Sequence, residues 1–157
     1  MEETIKQINE LYDGADSINF VTTFAADELP GCKTVDEALP RVTELYATPH
    51  TGRNSQVFNY EIKYVGPASP EDVWKEIDGA FADKGDHDQS QGVRFSLDEE
   101  SKLNELHKAY KEQVKNYIKP DTAIYTFSST KWTFDLFGFM LLNQDGNSLA
   151  IIAHNSD

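Results

Sequence analysis

The sequence is short of the residues that build covalent and cofactor sites. Its 157 residues include one cysteine, Cys32, so no disulfide can form within the chain and a cysteine-based zinc site is excluded. The chain contains no Gly-x-Ser-x-Gly motif and no glycine-rich phosphate loop. These absences argue against a serine hydrolase and against nucleotide use. We predict that the protein binds no cofactor, and we favour a protein without enzymatic activity over an enzyme.

Long apolar runs are also missing. The longest apolar-rich stretch, Phe134–Leu142, has the length of a strand and contains Asp135, whereas a membrane-spanning helix needs about 20 residues. The chain starts Met1-Glu2-Glu3, without the basic and apolar regions of a signal peptide. Together with the single cysteine, these features predict a cytoplasmic protein.

Basic residues are scarce. The chain has 27 Asp and Glu against 14 Lys and Arg, a formal net charge of −13. Such a surface repels nucleic-acid phosphates and anionic membranes and attracts basic proteins. The excess is local, because residues 1–100 carry 21 acidic and 8 basic residues, whereas residues 101–157 carry six of each. Residues 66–100, with 10 acidic and 3 basic residues, are therefore the predicted working surface.

Apolar periodicity, caps and turn residues predict one α+β domain over residues 1–157. Helices are predicted at residues 2–12, 35–46 (after Thr34 as N-cap), 70–81 (after Ser69) and 97–118 (after Ser96). Strands are predicted at residues 17–25, 55–65, 122–128, 131–142 and 148–155. Residues 27–33 and 82–95 are predicted to be loops.

The last three predicted strands follow one another without a helix between them. Asp145-Gly146 is typical of a tight hairpin turn between the final two. We therefore expect a mainly antiparallel sheet with a C-terminal three-strand meander, and we expect the helices to pack on one face of it.

The charge distribution leads to the first functional hypothesis, an interaction or inhibitor-type protein of the immunity or regulatory kind that docks a basic protein partner. A plainer alternative is that the charge only keeps the protein in solution. The candidate partner-binding residues are Glu71, Asp72, Glu76, Asp83, Asp86, Asp88, Asp98 and Glu99.

The second hypothesis is a small-molecule-binding domain or small enzyme. Asp135 interrupts an aromatic segment, and strand alternation predicts that it shares a face with Phe137 and Phe139. A carboxyl group in such a place is a candidate for a raised pKa in a pocket, with His154 and Trp132 as neighbours. The other interpretation is that Asp135 sits at the rim or caps a neighbouring turn.

The loop at residues 83–92 is the weak candidate for a metal site. Asp86, Asp88 and Ser90 alternate like the first oxygen ligands of a calcium loop. However, Gln91 stands where the required glycine belongs, and Leu97 stands where the bidentate glutamate belongs. A solvated loop is the favoured interpretation, since Asp and Gly are good turn residues.

Overall fold

A computed structural model describes residues 1–86, 88, 91–131 and 134–156. The helices are α1 (Glu2–Gly14), α2 (Val35–Tyr46), α3 (Pro70–Ala82) and α4 (Leu97–Lys115). The strands are β1 (Asp16–Ile18), β2 (Val21–Pro30), β3 (His50–Thr51), β4 (Val57–Phe58), β5 (Ile62–Ala68), β6 (Gly92–Arg94), β7 (Ala123–Ser129), β8 (Phe134–Leu142) and β9 (Asn147–Ser156).

Five strands form the main sheet in the order β2-β9-β8-β7-β5, and every neighbouring pair is antiparallel. The predicted α+β class and the C-terminal meander β7-β8-β9 are confirmed. Gly146, with φ of 80°, lies in the tight turn between β8 and β9. Two further sheets have two strands each, one formed by β1 and β6 and the other by β3 and β4.

Helices cover both faces of the sheet. Three helices, α1, α3 and α4, pack on the face that carries Leu149 and Ile151, as expected. Helix α2 instead packs on the opposite face, against Ala150 and Ile152. The physical reason is that residues 149–153 of the interior strand β9 are all apolar, so both faces of this part of the strand need cover from water. The expected one-face arrangement therefore holds for three of these four helices.

Local sequence signals set the starts of the helices. Ser69 accepts a hydrogen bond from the Asp72 amide while the Asp72 carboxylate accepts one from the Ser69 amide, and Ser96 and Glu99 form the same reciprocal pair at α4. At α2, Thr34 caps the Glu37 amide as predicted. Such caps satisfy backbone donors that the first turn leaves without partners.

The predicted strand at residues 17–25 is wrong as a single element. Asn19 has φ of 47°, which no extended strand accommodates, so β1 ends at Ile18 and pairs with β6. Strand β2 then runs on through Pro30, where a loop had been expected. Proline is tolerated there because β2 is an edge strand of the sheet.

The predicted strand at residues 55–65 is also wrong as one element. Val57 and Phe58 pair with β3, and only the part from Ile62 onward joins the main sheet. Tyr64, which lies in this part, is 48% exposed. Because β5 is an edge strand, the alternation of apolar and polar residues along it does not mark a buried face. The predicted loop at residues 82–95 likewise contains a short strand, β6.

Candidate functional site

A β-bulge at Leu136 changes which side chains share a face of β8. Asp135 lies opposite His154 on β9, and Phe137 lies opposite Ala153, so the register shifts between them. Because His154 and Ala153 are successive residues of one strand, their partners point to opposite faces. The prediction that Asp135 shares a face with Phe137 and Phe139 is therefore wrong, since a bulge inserts one extra residue.

The carboxyl group of Asp135 bonds to the start of the β7–β8 connection. Its Oδ2 accepts a hydrogen bond from the Ser129 amide at 2.9 Å, whereas its buried Oδ1 has no partner among the described residues. Burial raises the pKa of Asp135, and the bond from Ser129 opposes that shift. Burial, together with the nearby charge of Lys131, lowers the pKa of His154 to about 4. Asp135 thus holds a turn, as the second interpretation of this residue proposed.

Rings from α3, α4 and β2 pack against part of the aromatic face of the sheet. The Phe24 ring centroid lies 4.6 Å from that of Phe81, 5.8 Å from that of Tyr110 and 6.2 Å from that of Phe137. Tyr110, from α4, has no exposed surface. The structure brings Asp135 and His154 together, but on the other face, and Trp132 lies outside the described residues.

Acidic side chains follow one side of α3. Asp72, Glu76, Gly79 and Asp83 are spaced by four, three and four residues, which places them in a row along one side of a helix. Asp83 is the C-cap of α3. Since a helix rises 1.5 Å per residue, the row is about 16 Å long.

Two open cavities adjoin this row. The first, about 230 Å³, is lined by Asp72 and Glu76 on one wall and by Leu136, Phe137 and Phe139 from β8. These three β8 residues, which we call the floor, are apolar, so the cavity has both acidic and apolar lining residues.

The second cavity, about 460 Å³, continues past the end of α3. Asp83, Asp86, Asp135, Asn155 and Leu136 are among its lining residues. Leu136 lines both cavities, and we call the two adjoining cavities together the acidic groove. Its acidic lining residues from α3 and the loop after it are Asp72, Glu76, Asp83 and Asp86; Asp135 also adjoins the second cavity, but its carboxyl group bonds to the Ser129 amide.

No lysine or arginine is among the described residues that line the acidic groove. Lys84 lies close in sequence, but its Nζ donates to the Phe81 carbonyl and sits 5.2 Å from the centroid of the Phe95 ring. Burial lowers the pKa of Lys84, against the opposing charges of Glu100 and Asp83. Hydrogen bonds from Ser69 lower the pKa of Asp72, and the charge of Lys75 adds to this effect.

A chain of hydrogen bonds anchors the acidic loop after α3 to the sheet. The hydroxyl of Thr22 donates to Asn155 Oδ1 at 2.9 Å, and Asn155 Nδ2 donates to Asp83 Oδ2 at 3.0 Å. Asp83 Oδ1 accepts from the Gly85 amide at 2.9 Å. Both oxygens of Asp83 are therefore held in place, one by the loop and one by β9.

The other four predicted partner-binding residues do not line the groove. Glu71, Asp88 and Asp98 are exposed elsewhere, and the Glu99 carboxylate accepts a hydrogen bond from the Ser96 amide at the start of α4. Half of the eight predicted residues thus line the acidic groove.

The metal candidates have a local role. Asp86 Oδ1 accepts a hydrogen bond from the Asp88 amide at 3.1 Å. Ser90, the third residue of that pattern, lies outside the described part of the chain. Within residues 1–86, 88, 91–131 and 134–156, no three His, Cys, Asp or Glu side chains are arranged to hold a metal ion.

Sequence reasoning missed the floor of the groove. The bulge that presents Leu136 has no signature in the residues around it. The spacing of Asp72, Glu76 and Asp83 is visible in the sequence, however, and it predicts that these three acidic residues lie in one row along α3.

No family model and no curated protein matches this chain. A crystal structure of citrus MAF1 aligns with 98% of this chain and 98% of its own, at 12% sequence identity and a TM-score of 0.46. That score is too low to indicate a shared fold or function. Among the described helices, none has the length and apolar character needed to cross a membrane.

Proposed function

We propose that this protein is a cytoplasmic interaction protein whose acidic groove binds a basic segment of a protein partner. The observation that carries the proposal is the lining of the groove. Four acidic residues from α3 and the loop after it, and no basic residue within the described part of the chain, line the groove together with apolar residues of β8. A ligand with positive charges and some apolar surface is complementary to both features.

The carboxylates are held in position before any partner arrives. Asp72 accepts a hydrogen bond from Ser69, Asp83 from Gly85 and Asn155, and Asp86 from Asp88. Groups fixed in this way lose little conformational freedom on binding, which lowers the cost of association. Their charges also attract a basic partner over distances comparable to the Debye length, so binding is expected to be fast and dependent on salt.

The state of the Cys32 thiol supports the proposed cytoplasmic location. Cys32 is 5% exposed and unpaired, as is usual for a protein that folds in a reducing compartment. The rival small-molecule pocket is less favoured, because Asp135, its expected polar group, points away from the face on which Phe137 and Phe139 line a cavity.

A titration with a lysine-rich synthetic peptide tests the proposal. Amide chemical-shift changes in the isotope-labelled protein are expected on α3, on the loop after it and around Leu136. Binding is expected to weaken at least about tenfold between about 50 mM and about 300 mM salt, because exposed charges are screened. Equal changes over all acidic surfaces, or no binding at the lower salt concentration, would overturn it.

A matched pair of variants separates the groove from overall charge. Glu76→Gln removes one charge from the groove, whereas Glu71→Gln removes one from an exposed site on the same helix that does not line it. We expect the first to weaken peptide binding about three- to tenfold and the second to change it less than twofold. Equal effects of the two variants would show that the binding follows net charge alone.

A further inference from the structure

Leu136 stands at the boundary of the two cavities of the acidic groove. It is the extra residue of the bulge in β8, and it lines both cavities while remaining half-buried. Bulges re-aim side chains and are enriched beside binding sites. The groove therefore has an apolar contact in its middle and carboxylates toward each end.

The length of the groove limits what can lie in it. Asp72 and Asp83 are separated by 11 positions along α3, about 16 Å along the helix axis. A partner chain in extended conformation advances about 3.3 Å per residue, so about five residues cover that distance. A helical partner needs about 11 residues for the same span.

We propose that the acidic groove takes an extended basic segment in which two cationic side chains, four residues apart, flank an aliphatic residue midway between them, so that all three point to the same side of the chain. One cation lies beside Asp72 and Glu76, the other beside Asp83 and Asp86, and the aliphatic side chain contacts Leu136. This inference rests on the proposed function and specifies its partner. A run of adjacent cations fits less well, because it places a charge against Leu136 and removes that charge from water without a counter-ion.

Three synthetic peptides of equal length test the pattern. The first carries two lysines four positions apart with a leucine midway between them, so that all three side chains lie on one side of an extended chain. The second has the same composition with both lysines adjacent at one end, and the third has serine in place of the leucine. Affinities are measured by fluorescence anisotropy at low salt, with the full chain.

We expect the first peptide to bind about tenfold more tightly than either of the others, the size of effect that one buried aliphatic contact or one well-placed charge pair produces. Equal affinities for all three would overturn the pattern while leaving the proposed function intact. A failure of all three to bind would overturn both.

Variants of the chain locate the contacts. Leu136→Ala is expected to lower the affinity for the first peptide about fivefold and to leave the affinity for the serine peptide unchanged. Leu45→Ala, a change at a 39% exposed leucine of α2 on the other face, serves as the matched control and should have no effect. A loss of affinity for both peptides in Leu136→Ala would overturn the assigned contact.

Gly79 offers a test that leaves every native groove side chain in place. It lies in the acidic row between Glu76 and Asp83, and within the described structure a Cβ there meets no heavy atom within 4 Å. Gly79→Lys supplies a cation beside those carboxylates. We expect the affinity of this variant for the first peptide to be about tenfold lower than that of Gly79→Gln. Equal affinity in these two variants would contradict an occupant that lies along this row.

Discussion

Asp135 and His154 face each other across β8 and β9, and burial moves their pKa values in opposite directions. The pKa of the acid is raised, and the pKa of the base is lowered to about 4. Both shifts have one physical cause, since a site shielded from water disfavours the charged form of either group. The stability of the fold should therefore respond to pH through this pair, with opposite signs.

His154 should make the protein less stable as the pH falls. Its pKa is 6.5 in the unfolded chain and about 4 in the fold, so between those values the unfolded state binds a proton that the native state does not. Stability is then fully present above the unfolded pKa and is lost as pH falls toward the folded pKa. Urea unfolding at about pH 7 and about pH 5 measures this loss, which His154→Gln should reduce. An identical pH dependence in the variant would contradict the prediction.

Asp135 acts in the opposite sense. Its raised pKa means that its contribution to stability is present at low pH and is lost as pH rises through the folded pKa. Asp135→Asn keeps an acceptor for the Ser129 amide and removes the charge, so the variant should be more stable than the native protein at neutral pH. That advantage should vanish in acid, where the native carboxyl is protonated.

Asp135→Ala provides the comparison for Asp135→Asn. It removes the acceptor as well as the charge, and a buried donor left without a partner costs about 1–3 kcal/mol. Chemical denaturation of the two variants at neutral pH should therefore give changes of opposite sign. A loss of stability in both would show that the carboxylate is needed in its charged form.

The elements that were predicted well are those whose signals are local. Both capping boxes, at Ser69 and Ser96, define helix starts within four residues of sequence, and α3 and α4 begin there. The strand at residues 55–65 was misread because an alternating pattern does not reveal whether a strand is central or at the edge. Asn19 broke another predicted strand, since a single residue in the left-handed region ends an extended chain.

The same distinction holds for the candidate site. Asp72, Glu76, Asp83 and Asp86 were predicted from their charge. Helical spacing aligns the first three along α3, whereas Asp86 lies in the loop that follows the helix. The place of Leu136 was not predictable, because a bulge depends on how β8 pairs with β9. Charge composition thus predicts which residues are candidates, and pairing between distant segments decides which of them meet.

Two glycines should respond in opposite ways to the same substitution. Gly79 lies inside α3 with open space around its Cβ position in the described structure, so Gly79→Ala should stabilise the protein by about 1 kcal/mol through helix propensity. Gly85 has φ of +80°, and a Cβ there lies 2.6 Å from Gly92 Cα, so Gly85→Ala should cost at least about 1–3 kcal/mol. Thermal unfolding of both variants measures the difference, and a neutral Gly85→Ala would contradict the tight approach.

Asn155 should hold the acidic loop to the sheet. Asn155→Ala removes the acceptor of the Thr22 hydroxyl, which is 1% exposed, and the donor to Asp83. We expect a loss of about 1–3 kcal/mol in the free energy of unfolding, because a buried donor loses its partner. Hydrogen exchange should also become faster at the amides of Gly85 and Val93, which bond to Asp83 Oδ1 and to the Lys84 carbonyl.

The amides of α4 are the internal reference for that experiment, since they are expected to exchange through more global unfolding. If the amide exchange rates at Gly85 and Val93 rise by the same factor as those in α4, Asn155 stabilises the whole fold and not the loop in particular. Asn155→Asp sharpens the distinction, because it keeps an acceptor for Thr22 but sets a second carboxylate against Asp83. Its effect on the loop should therefore shrink as salt is added, whereas that of Asn155→Ala should not, because only the former arises from repulsion between charges.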